Sequence, residues 1–245
     1  MNRFMKFSII TIFPEMVNDY ANVSIIARAI SKKLISIKAH DLRSFAKDSH
    51  HTVDDRPYGG GFGMVLKPDI MHKAIQKVSG KKSKSAKRKQ KVILLTPQGK
   101  KFNQTDAKKL SKMQNLIFVS GRYEGFDERI RSMVDDEFSI GDFILMGGEL
   151  PALVMIEAIS RFIPGVVGKF GSIVNESFAD LNLAGENQLK SLLEYPQYTR
   201  PEILKIGAKK MKVPKVLLSG NHAKIVSWRF EEALKRTKKR RPDIL

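Results

Sequence analysis

The stretch Gly121–Pro151 reads GRYEGFDERIRSMVDDEFSIGDFILMGGELP and carries the clearest signature of the fold. It contains five glycines, with acidic residues threaded between them. The glycines are at positions 121, 125, 141, 147 and 148, and the acidic residues include Glu124, Asp127, Asp142 and Glu149. Glycines that follow short apolar runs are typical of strand ends in α/β proteins, where ligands bind. Because the stretch has no GK[ST] sequence, it predicts a site for a polar ligand that is not a polyphosphate.

The composition bounds the class of protein and its partners. The chain has 245 residues and 42% hydrophobic content, which is enough for a large domain, or a large and a small one, with a real core. The net charge of +19 favours nucleic acid as a partner, with an anionic membrane surface second and a generally basic proteome as the other explanation. The absence of cysteine excludes disulfides, cysteine-ligated zinc and a thiol nucleophile.

The N-terminal sequence MNRFMKFSIITIF superficially resembles a signal peptide. Its apolar run is short, ends at Pro14 and Glu15, and is followed by no small-residue cleavage site. It therefore predicts a buried first strand. No apolar run is long enough to cross a bilayer, so we expect a soluble, cytoplasmic protein without a membrane partner.

Short apolar runs alternate along the chain with segments of helical periodicity. This alternation predicts an α/β fold with a largely parallel sheet. The predicted strands and extended pieces are Phe7–Phe13, Ile35–Ala39, Val92–Thr96, Leu116–Ser120, Phe138–Ile140 and Phe143–Leu145. One helix is predicted to begin at Pro14, and three more are predicted to span Pro68–Val78, Asn103–Met113 and Glu149–Phe162. Residues His50–Gly63 are predicted to form a loop.

The pattern changes after Pro164. Residues Gly165–Glu186 are rich in Gly, Ser and Asn, which is typical of a linker or a mobile lid. The rest of the chain is basic and predicted to be helical, with Asn221 as the cap of the last helix. An apolar stripe is predicted on that helix at Val226, Phe230, Ala233 and Leu234.

Two runs of positive charge have two interpretations each. Lys81–Lys91 reads KKSKSAKRKQK and is either a solvated surface loop or a specific RNA contact. Lys235–Arg241 reads KRTKKRR and lies at and beyond the end of the predicted last helix. Its charge suits both the negative end of the helix dipole and contact with phosphate.

Several short motifs carry little weight alone. The loop Asp54–Met64, DDRPYGGGFGM, is either a tight structural turn or a loop that admits a flat base, with Asp54 and Asp55 accepting hydrogen bonds from ring nitrogens. The turn TPQG directly follows the predicted strand VILLT, at the edge where an α/β sheet binds ligands. The five histidines lack metal-ligand spacing and no GxSxG is present, so neither a metal site nor a serine nucleophile is predicted.

Taken in order, seven motifs closely resemble the bacterial tRNA (guanine-N1)-methyltransferases of the SPOUT superfamily. They are DDRPYGGGFGM, LTPQGK, GRYEGFDER, SIGDFILMGGELPA, SRFIPGVVG, YPQYTRPE and LLSGNHAKI. The resemblance runs essentially the full length of the chain. It implies transfer of a methyl group from S-adenosylmethionine to N1 of the guanine at position 37 of tRNA, immediately 3′ of the anticodon.

The resemblance also implies a fold and an assembly. The implied fold is an α/β SPOUT domain with a parallel sheet and a deep trefoil knot, followed by a small helical C-terminal domain. On this sequence the knotted catalytic domain covers residues 1–164, a flexible linker covers 165–186 and a basic helical tRNA-binding domain covers 187–245. The implied assembly is a homodimer with its active sites at the subunit interface.

The resemblance places the bent methyl donor among three knot loops, Leu95–Gly99, Gly121–Gly125 and Ser139–Pro151. The donor would meet mainly main-chain groups, while Pro97, Tyr123 and Pro151 would shape the walls. The expected donor-binding residues are Leu95, Thr96, Pro97, Gly99, Gly121, Tyr123, Glu124, Ser139, Ile140, Gly141, Leu145, Gly147, Gly148 and Pro151.

Methylation of guanine N1 needs a base, because N1 carries a proton at neutral pH, and a group that stabilises negative charge on O6. In the family the base is an aspartate of the interdomain linker, assisted by an arginine at the end of the preceding helix. These positions carry Glu176 and Arg161 here, and Asp180 is the alternative base. The residues expected to contact the substrate guanine are Asp54, Tyr58, Gly63, Arg161 and Glu176.

Glu124 is the position through which the family's Mg²⁺ dependence is thought to act, so the resemblance implies a requirement for Mg²⁺. The other interpretation of Glu124 is an acid that caps or pairs locally. The sequence departs from the family pattern at Glu176, at Met146, where many members have serine, and at Phe143, where many have tyrosine. The lysine-rich run Lys81–Lys91 also lies outside the pattern.

Two other functions remain alternatives. The altered base, Met146 and the high charge are compatible with a catalytically silent relative that only binds RNA. A methyltransferase acting on another RNA is the third possibility, and the motifs DDRPYGGG and YTRPE argue against it because they belong to the tRNA-specific family.

Overall fold

The computed structural model describes residues 4–80, 89–168, 176–178 and 191–245. The chain divides into two compact units, Met1–Lys169 and Phe170–Leu245. Most of the predicted linker and residues 81–88 of the lysine-rich run lie outside the described residues. Among the residues described, no helix combines the length and apolar character needed to span a membrane.

The first unit is built on a five-stranded parallel sheet. Its strands are β1 (Met5–Thr11), β2 (Ile35–Asp41), β5 (Gln90–Lys101), β6 (Asn115–Ser120) and β7 (Asp136–Ser139), in the order β2-β1-β6-β5-β7. All four pairings in this sheet are parallel. Two short strands, β3 (Asp54–Asp55) and β4 (Val65–Leu66), form a separate antiparallel pair. The predicted α/β fold with a parallel sheet is therefore confirmed.

Helices cover both faces of this sheet. The α-helices of the unit are α1 (Pro14–Ala21), α2 (Ser24–Ser31), α3 (Pro68–Ser79), α4 (Gln104–Leu110) and α5 (Glu149–Ser160). Short 3₁₀ helices span Leu42–Phe45 and Glu128–Met133. Helix α2 and these two 3₁₀ helices were not predicted from the sequence, because segments of four to eight residues are too short to show a clear periodicity.

Two hydrophobic cores lie on opposite sides of the sheet, as a helix-covered parallel sheet requires. In β1, Phe7 and Ile9 belong to the first core, which is completed by α1, α2, α4 and α5. Ile10, on the opposite face of β1, belongs to the second core with α3. Because both faces are covered, the strands read as continuous apolar runs, which is why periodicity found them.

The strand order brings three loops to one edge of the sheet. β5 lies between β6 and β7, and the three strands are parallel, so the segments that follow them start side by side. The pairing of β5 with β7 breaks at Leu95 and resumes at Lys100, because Thr96–Gly99 bulges out of the ladder. β5 therefore extends beyond the predicted end at Thr96, and it begins at Gln90, within the predicted lysine-rich loop.

One predicted extended piece is wrong. Residues Phe143–Leu145 form no strand and lie in bends between β7 and α5. Phe143 and Ile144 are exposed, at 53% and 79% of their surface, so their apolar character does not come from burial in the sheet. An apolar run identifies a strand only when a partner strand is present.

The second unit contains a β-hairpin in addition to helices. Strands β8 (Ile203–Ile206) and β9 (Lys209–Lys212) pair antiparallel, and the prediction of a basic helical segment did not include this hairpin. Two helices follow, α6 (Lys215–Leu218) and α7 (His222–Arg240). Asn221 caps α7 as predicted, since its side chain accepts a hydrogen bond from the backbone N–H of Lys224.

The face of α7 that packs within the second unit is narrower than the predicted stripe. Ala233 and Thr237 are buried, and the Thr237 hydroxyl accepts a hydrogen bond from the Leu193 backbone at 2.9 Å. Val226 and Phe230, predicted to belong to the stripe, are 63% and 38% exposed. Small residues in the last turns of the helix therefore make the contact.

Candidate functional site

The three loops predicted to hold the donor meet at the carboxyl edge of the sheet. They follow β5, β6 and β7, which are adjacent in the order β6-β5-β7. In open α/β sheets this edge is where ligands bind, especially where successive connections leave a strand in opposite directions. Here β6 lies on one side of β5 and β7 on the other, so the edge beside β5 is such a point.

The first loop is held tightly against β7. At Gly99 an added Cβ atom would lie 2.5 Å from the backbone nitrogen of Phe138, which is closer than atoms can approach. Only glycine therefore lets the Thr96–Gly99 bulge rejoin β7. Within the bulge Leu95 is buried, Thr96 is half-buried and Pro97 is exposed. A ligand can thus reach the outer side of the bulge while its base remains fixed.

The second and third loops are joined by the main chain. The Gly148 backbone N–H donates to the Gly121 carbonyl at 2.9 Å. A Cβ atom on Gly148 would lie 2.7 Å from Ser120 Cα, so a side chain here would separate the two loops. Gly148 directly precedes α5, which places the start of this helix against the end of β6.

The third loop has a fixed beginning and an exposed middle. The Ser139 side chain is buried and exchanges hydrogen bonds with Gly141, donating to its carbonyl at 2.9 Å and accepting from its N–H at 3.2 Å. Leu145 is 38% and Met146 91% exposed, so the loop presents apolar side chains at the surface. The remaining expected donor residues of this segment, Ile140, Gly147 and Pro151, are half-buried.

A buried ion pair, which the sequence did not reveal, lies beneath the loops. Glu149, the first residue of α5, is fully buried and accepts hydrogen bonds from Arg122 Nε at 2.9 Å and from the Thr11 hydroxyl at 2.6 Å. The Arg122 guanidinium also lies 4.4 Å from the centre of the Phe13 ring. These contacts connect the end of β1, the second loop and the start of α5.

A second arginine links the first loop to its surroundings. The Arg131 guanidinium donates hydrogen bonds to the side chains of Gln98, in the first loop, and Glu137, on β7. Its Nε donates to Glu128 at 2.8 Å. These contacts, led by the bond to Glu128, raise the pKa of Arg131 further, so it stays charged. The GRYEGFDERIR motif therefore supplies two structural arginines.

The glycine-rich loop predicted to contact the substrate is joined to the second donor loop. The Glu124 N–H donates to the Met64 carbonyl at 3.0 Å, and the Leu66 N–H donates to the Gly125 carbonyl at 3.0 Å. Asp54 is half-buried on β3, whereas Tyr58 is fully exposed on the open part of the loop. The structure thus brings Gly63 and Glu124 together and leaves Tyr58 projecting into solvent.

The acidic residues of the site form no metal-binding cluster in the described part of the chain. Glu124 is exposed, and its side chain packs against Gly63. Tyr123, beside it, has a left-handed backbone conformation with φ of 60° and is 49% exposed. A single accessible carboxylate suits a Mg²⁺ ion, which usually keeps several waters and takes one or two carboxylates from protein.

The two residues expected to carry proton transfer lie in different units. Arg161 is half-buried at the end of α5, where its N–H donates to the Glu157 carbonyl at 3.3 Å. Glu176 is half-buried in the second unit, beside Ser177, whose hydroxyl accepts a hydrogen bond from the Glu194 N–H. The alternative base, Asp180, lies outside the described residues.

A groove in the second unit joins two of the sequence motifs. YPQYTRPE and α7 line a groove of about 450 Å³. The Arg229 guanidinium lies 4.7 Å from the centre of the Tyr195 ring, and the rings of Tyr198 and Trp228 are 6.5 Å apart. Aromatic rings beside an arginine are the groups on which nucleic-acid bases stack. These four residues were not among the predicted tRNA contacts, although tRNA binding was predicted for this unit.

The chain is similar to known proteins over nearly its whole length. The model of the family described as tRNA (Guanine-1)-methyltransferase TrmD matches residues 5–245. The tRNA (guanine-N(1)-)-methyltransferase of Geobacter sulfurreducens is 49% identical over 242 residues, which cover 98% of this chain and 91% of that protein. Proteins of the same description from Dehalococcoides mccartyi and Dictyoglomus turgidum are 48% and 47% identical, each over 98% of this chain and 90% of their own length.

Proposed function

Because the chain belongs to the tRNA (guanine-N1)-methyltransferase family, we propose that it transfers a methyl group from S-adenosylmethionine to N1 of guanine 37 in tRNA. One observation of the structure carries the proposal furthest. The three loops expected to hold the donor, which lie at residues 95–99, 121–125 and 139–151, meet at one edge of the sheet. The edge is built from main chain and glycine, as a bent polar ligand without phosphates requires.

The donor brings its own leaving group, because its methyl is attached to a positively charged sulfur. The protein therefore needs to align the two reactants rather than activate the donor. The packing of Gly99 on β7 and of Gly148 on Ser120 keeps the loops from moving apart. Pro97, Tyr123 and Pro151 form the walls of the donor site in this proposal.

The acceptor needs chemistry from the protein. We assign removal of the guanine N1 proton to the Glu176 carboxylate and stabilisation of the negative charge on O6 to the Arg161 guanidinium. Asp54, Tyr58 and Gly63 contact the guanine in this scheme. Glutamate in place of the family's aspartate extends the side chain by one methylene, so the carboxylate reaches the same proton from a backbone set farther back.

Mg²⁺ is proposed to act at Glu124. This carboxylate is exposed and stands beside Gly63, so it can hold a hydrated ion next to the loop that receives the guanine. The ion supplies positive charge there. Glu124 does not need other acidic side chains for this, because water completes the coordination of Mg²⁺.

A homodimer is proposed from the family and is supported by apolar residues exposed on the first unit. Leu150 and Val154 are one turn apart on α5 and are 50% and 48% exposed. Exposed apolar residues at this spacing on one helix are typical of a surface that a partner covers. A second subunit that covers α5 would lie next to the loop Ser139–Pro151 and Arg161.

The test uses the protein, S-adenosylmethionine and a tRNA transcript with guanine at position 37. Methylation at N1 blocks primer extension at that nucleotide, and a transcript with adenine at position 37 is the control. Absence of the block would refute the proposed reaction. Strong tRNA binding without methyl transfer would instead support a silent RNA-binding relative.

The assignment of the base is tested by two matched variants. Glu176→Gln should remove most turnover and leave donor binding unchanged, because Gln keeps the shape of the side chain and lacks the basic oxygen. Asp180→Asn should retain turnover. The reverse result would make Asp180 the base, and loss of donor binding in Glu176→Gln would show a structural role.

A further inference from the structure

A basic groove of about 610 Å³ lies in the first unit, on the sheet face of the second core. Residues of β1, β2, the start of β6 and the end of α3 line it, chiefly Lys6, Ser8, Lys38, His40, Lys77 and Asn115. None of the residues that line it is acidic, and none belongs to the donor loops or the glycine-rich loop. The groove is therefore distinct from the site described above.

The strand register fixes the spacing of the two lysines on the sheet. Lys38 on β2 is directly opposite Ser8 on β1, and Lys6 is two residues earlier on β1, on the same face. From the rise along a strand and the distance between strands, the Cα atoms of Lys6 and Lys38 are roughly 8 Å apart. Two long flexible lysine side chains at that spacing can reach the same anionic group.

The groove is a polar corner of a face that is otherwise apolar. Toward the carboxyl edge the same face carries Ile10, Ile117 and Val119, all fully buried in the second core. At the opposite corner Lys6 and Lys38 are exposed. The corner therefore remains open to solvent instead of being filled by apolar side chains.

The positive charge of this corner is not neutralised within the described part of the chain. No ion pair of Lys6, Lys38 or Lys77 occurs among those residues. Concave surfaces lined by one sign of charge raise the local concentration of the opposite ion. Burial, and next the positive charge of Lys38, lower the pKa of His40, which lines the same groove.

We propose that this groove binds backbone phosphates of the tRNA, away from the nucleotide that is methylated. The inference rests on tRNA being the substrate, as in the proposed function. β6 starts at Asn115, which lines the groove, and ends at Ser120, next to the donor loops, so the groove and the loops are separated by roughly 17 Å of strand. The phosphates bound here thus belong to a different part of the tRNA from guanine 37.

A simpler explanation exists for one of the lysines. β2 is an edge strand of the sheet, and lysines on edge strands prevent pairing with other chains. That explanation accounts for Lys38, whereas Lys6 lies on β1, which is paired on both sides. The two lysines must therefore be tested together, against lysines of equal charge elsewhere.

The test compares two double variants by the salt dependence of tRNA binding. Lys6→Gln with Lys38→Gln removes charge from the groove. Lys32→Gln with Lys112→Gln is the control, because these exposed lysines follow α2 and α4, which pack on the other face of the sheet. The groove variant should bind tRNA more weakly and lower the slope of log Kd against log salt by about 2, one for each lysine. The control should change the slope by much less.

The outcomes separate this inference from the proposed function. Equal slopes in the two double variants would overturn the groove as an RNA site, even if the protein methylates guanine 37. A lowered slope in the groove variant alone would support it, whatever the turnover. Inorganic phosphate can be titrated while the NMR signals of His40 are followed. A phosphate-dependent shift together with equal tRNA slopes would indicate a site for small anions and would refute the RNA assignment.

Discussion

The buried contact between Arg122 and Glu149 should be a main determinant of the stability of the first unit. Replacing Arg122 by Ala removes the ion-pair partner of Glu149, which is fully buried, and leaves the carboxylate only the Thr11 hydroxyl. Removing one partner of a buried pair usually costs about 3–5 kcal/mol, because the remaining charge is left without compensation. The Arg122 side chain is 17% exposed, so we expect a loss near the lower limit, about 3 kcal/mol.

This loss corresponds to a large change in thermal stability. For a domain of this size, 1 kcal/mol shifts Tm by about 2–4 °C, so Arg122→Ala should lower Tm by roughly 6–12 °C. Unfolding should be followed by circular dichroism, because the single tryptophan, Trp228, lies in the second unit and does not report on the first. Denaturant titrations of the same variant give the free energy of unfolding directly.

Two further variants identify the cause. Arg129→Ala removes another arginine of the same motif, whose pair with Asp127 is exposed, and should change stability little. Glu149→Gln, combined with Arg122→Ala, removes the uncompensated charge while keeping an acceptor for Thr11. The double variant should therefore be more stable than Arg122→Ala alone. A loss no larger than that of Arg129→Ala, or losses that simply add in the double variant, would refute the reasoning.

Gly148→Ala should weaken the binding of S-adenosylmethionine at least tenfold in calorimetry, because the added Cβ would lie 2.7 Å from Ser120 Cα and push the second and third loops apart. An unchanged affinity would contradict the proposed donor site. Hydrogen bonds from Thr52, chiefly from its hydroxyl, lower the pKa of Asp48 from 3.8 to about 2, so their contribution to stability is present above pH 4 and lost as the pH falls toward 2. Thr52→Val should therefore raise the pKa of Asp48 in an NMR titration, and an unchanged pKa would contradict this assignment. Val154→Glu tests the proposed dimer, because it places a charge on the exposed apolar side of α5. The variant should be a monomer in light scattering with unchanged circular dichroism, whereas a variant that remains dimeric would place the interface elsewhere.

The elements that were predicted correctly are those with a recognisable pattern in a short stretch of sequence. The strands of the sheet were found because both of its faces are covered, which makes their apolar runs continuous. The cap at Asn221 was found because an N-cap needs only a suitable side chain a few residues before the helical pattern. The hairpin β8–β9 was missed because both strands have four residues and β9 is lysine-rich, although Gly207, with φ of 57°, begins the two-residue connection typical of a hairpin.

Contacts across long separations could not be read from the residues themselves. Arg122 and Glu149 are 27 positions apart, and Thr11 is 138 positions from Glu149. Arg122 and Glu149 both lie in the glycine-rich stretch that predicts a ligand site, whereas Thr11 lies in a predicted buried strand. What distinguishes a structural ion pair from a binding residue is burial, and burial of a charged side chain is set by the packing of several elements rather than by its neighbours in sequence.

The acidic residues of Gly121–Pro151 show what this distinction means for the mechanism. In the part of the chain that the structure describes, six of the eight acidic residues of this stretch pair with cations, among them Glu149 with Arg122, Asp127 with Arg129 and Asp142 with Lys101. Within the described residues Glu124 has no such ion pair, and it is also exposed. A carboxylate held by an arginine or a lysine is a weak base, because the cation stabilises its charged form. The acids of this stretch are therefore suited to hold the loops together and, at Glu124, to accept a cation. This pairing supports the proposal that the proton of guanine N1 is removed by a carboxylate from outside the stretch, for which Glu176 is the candidate.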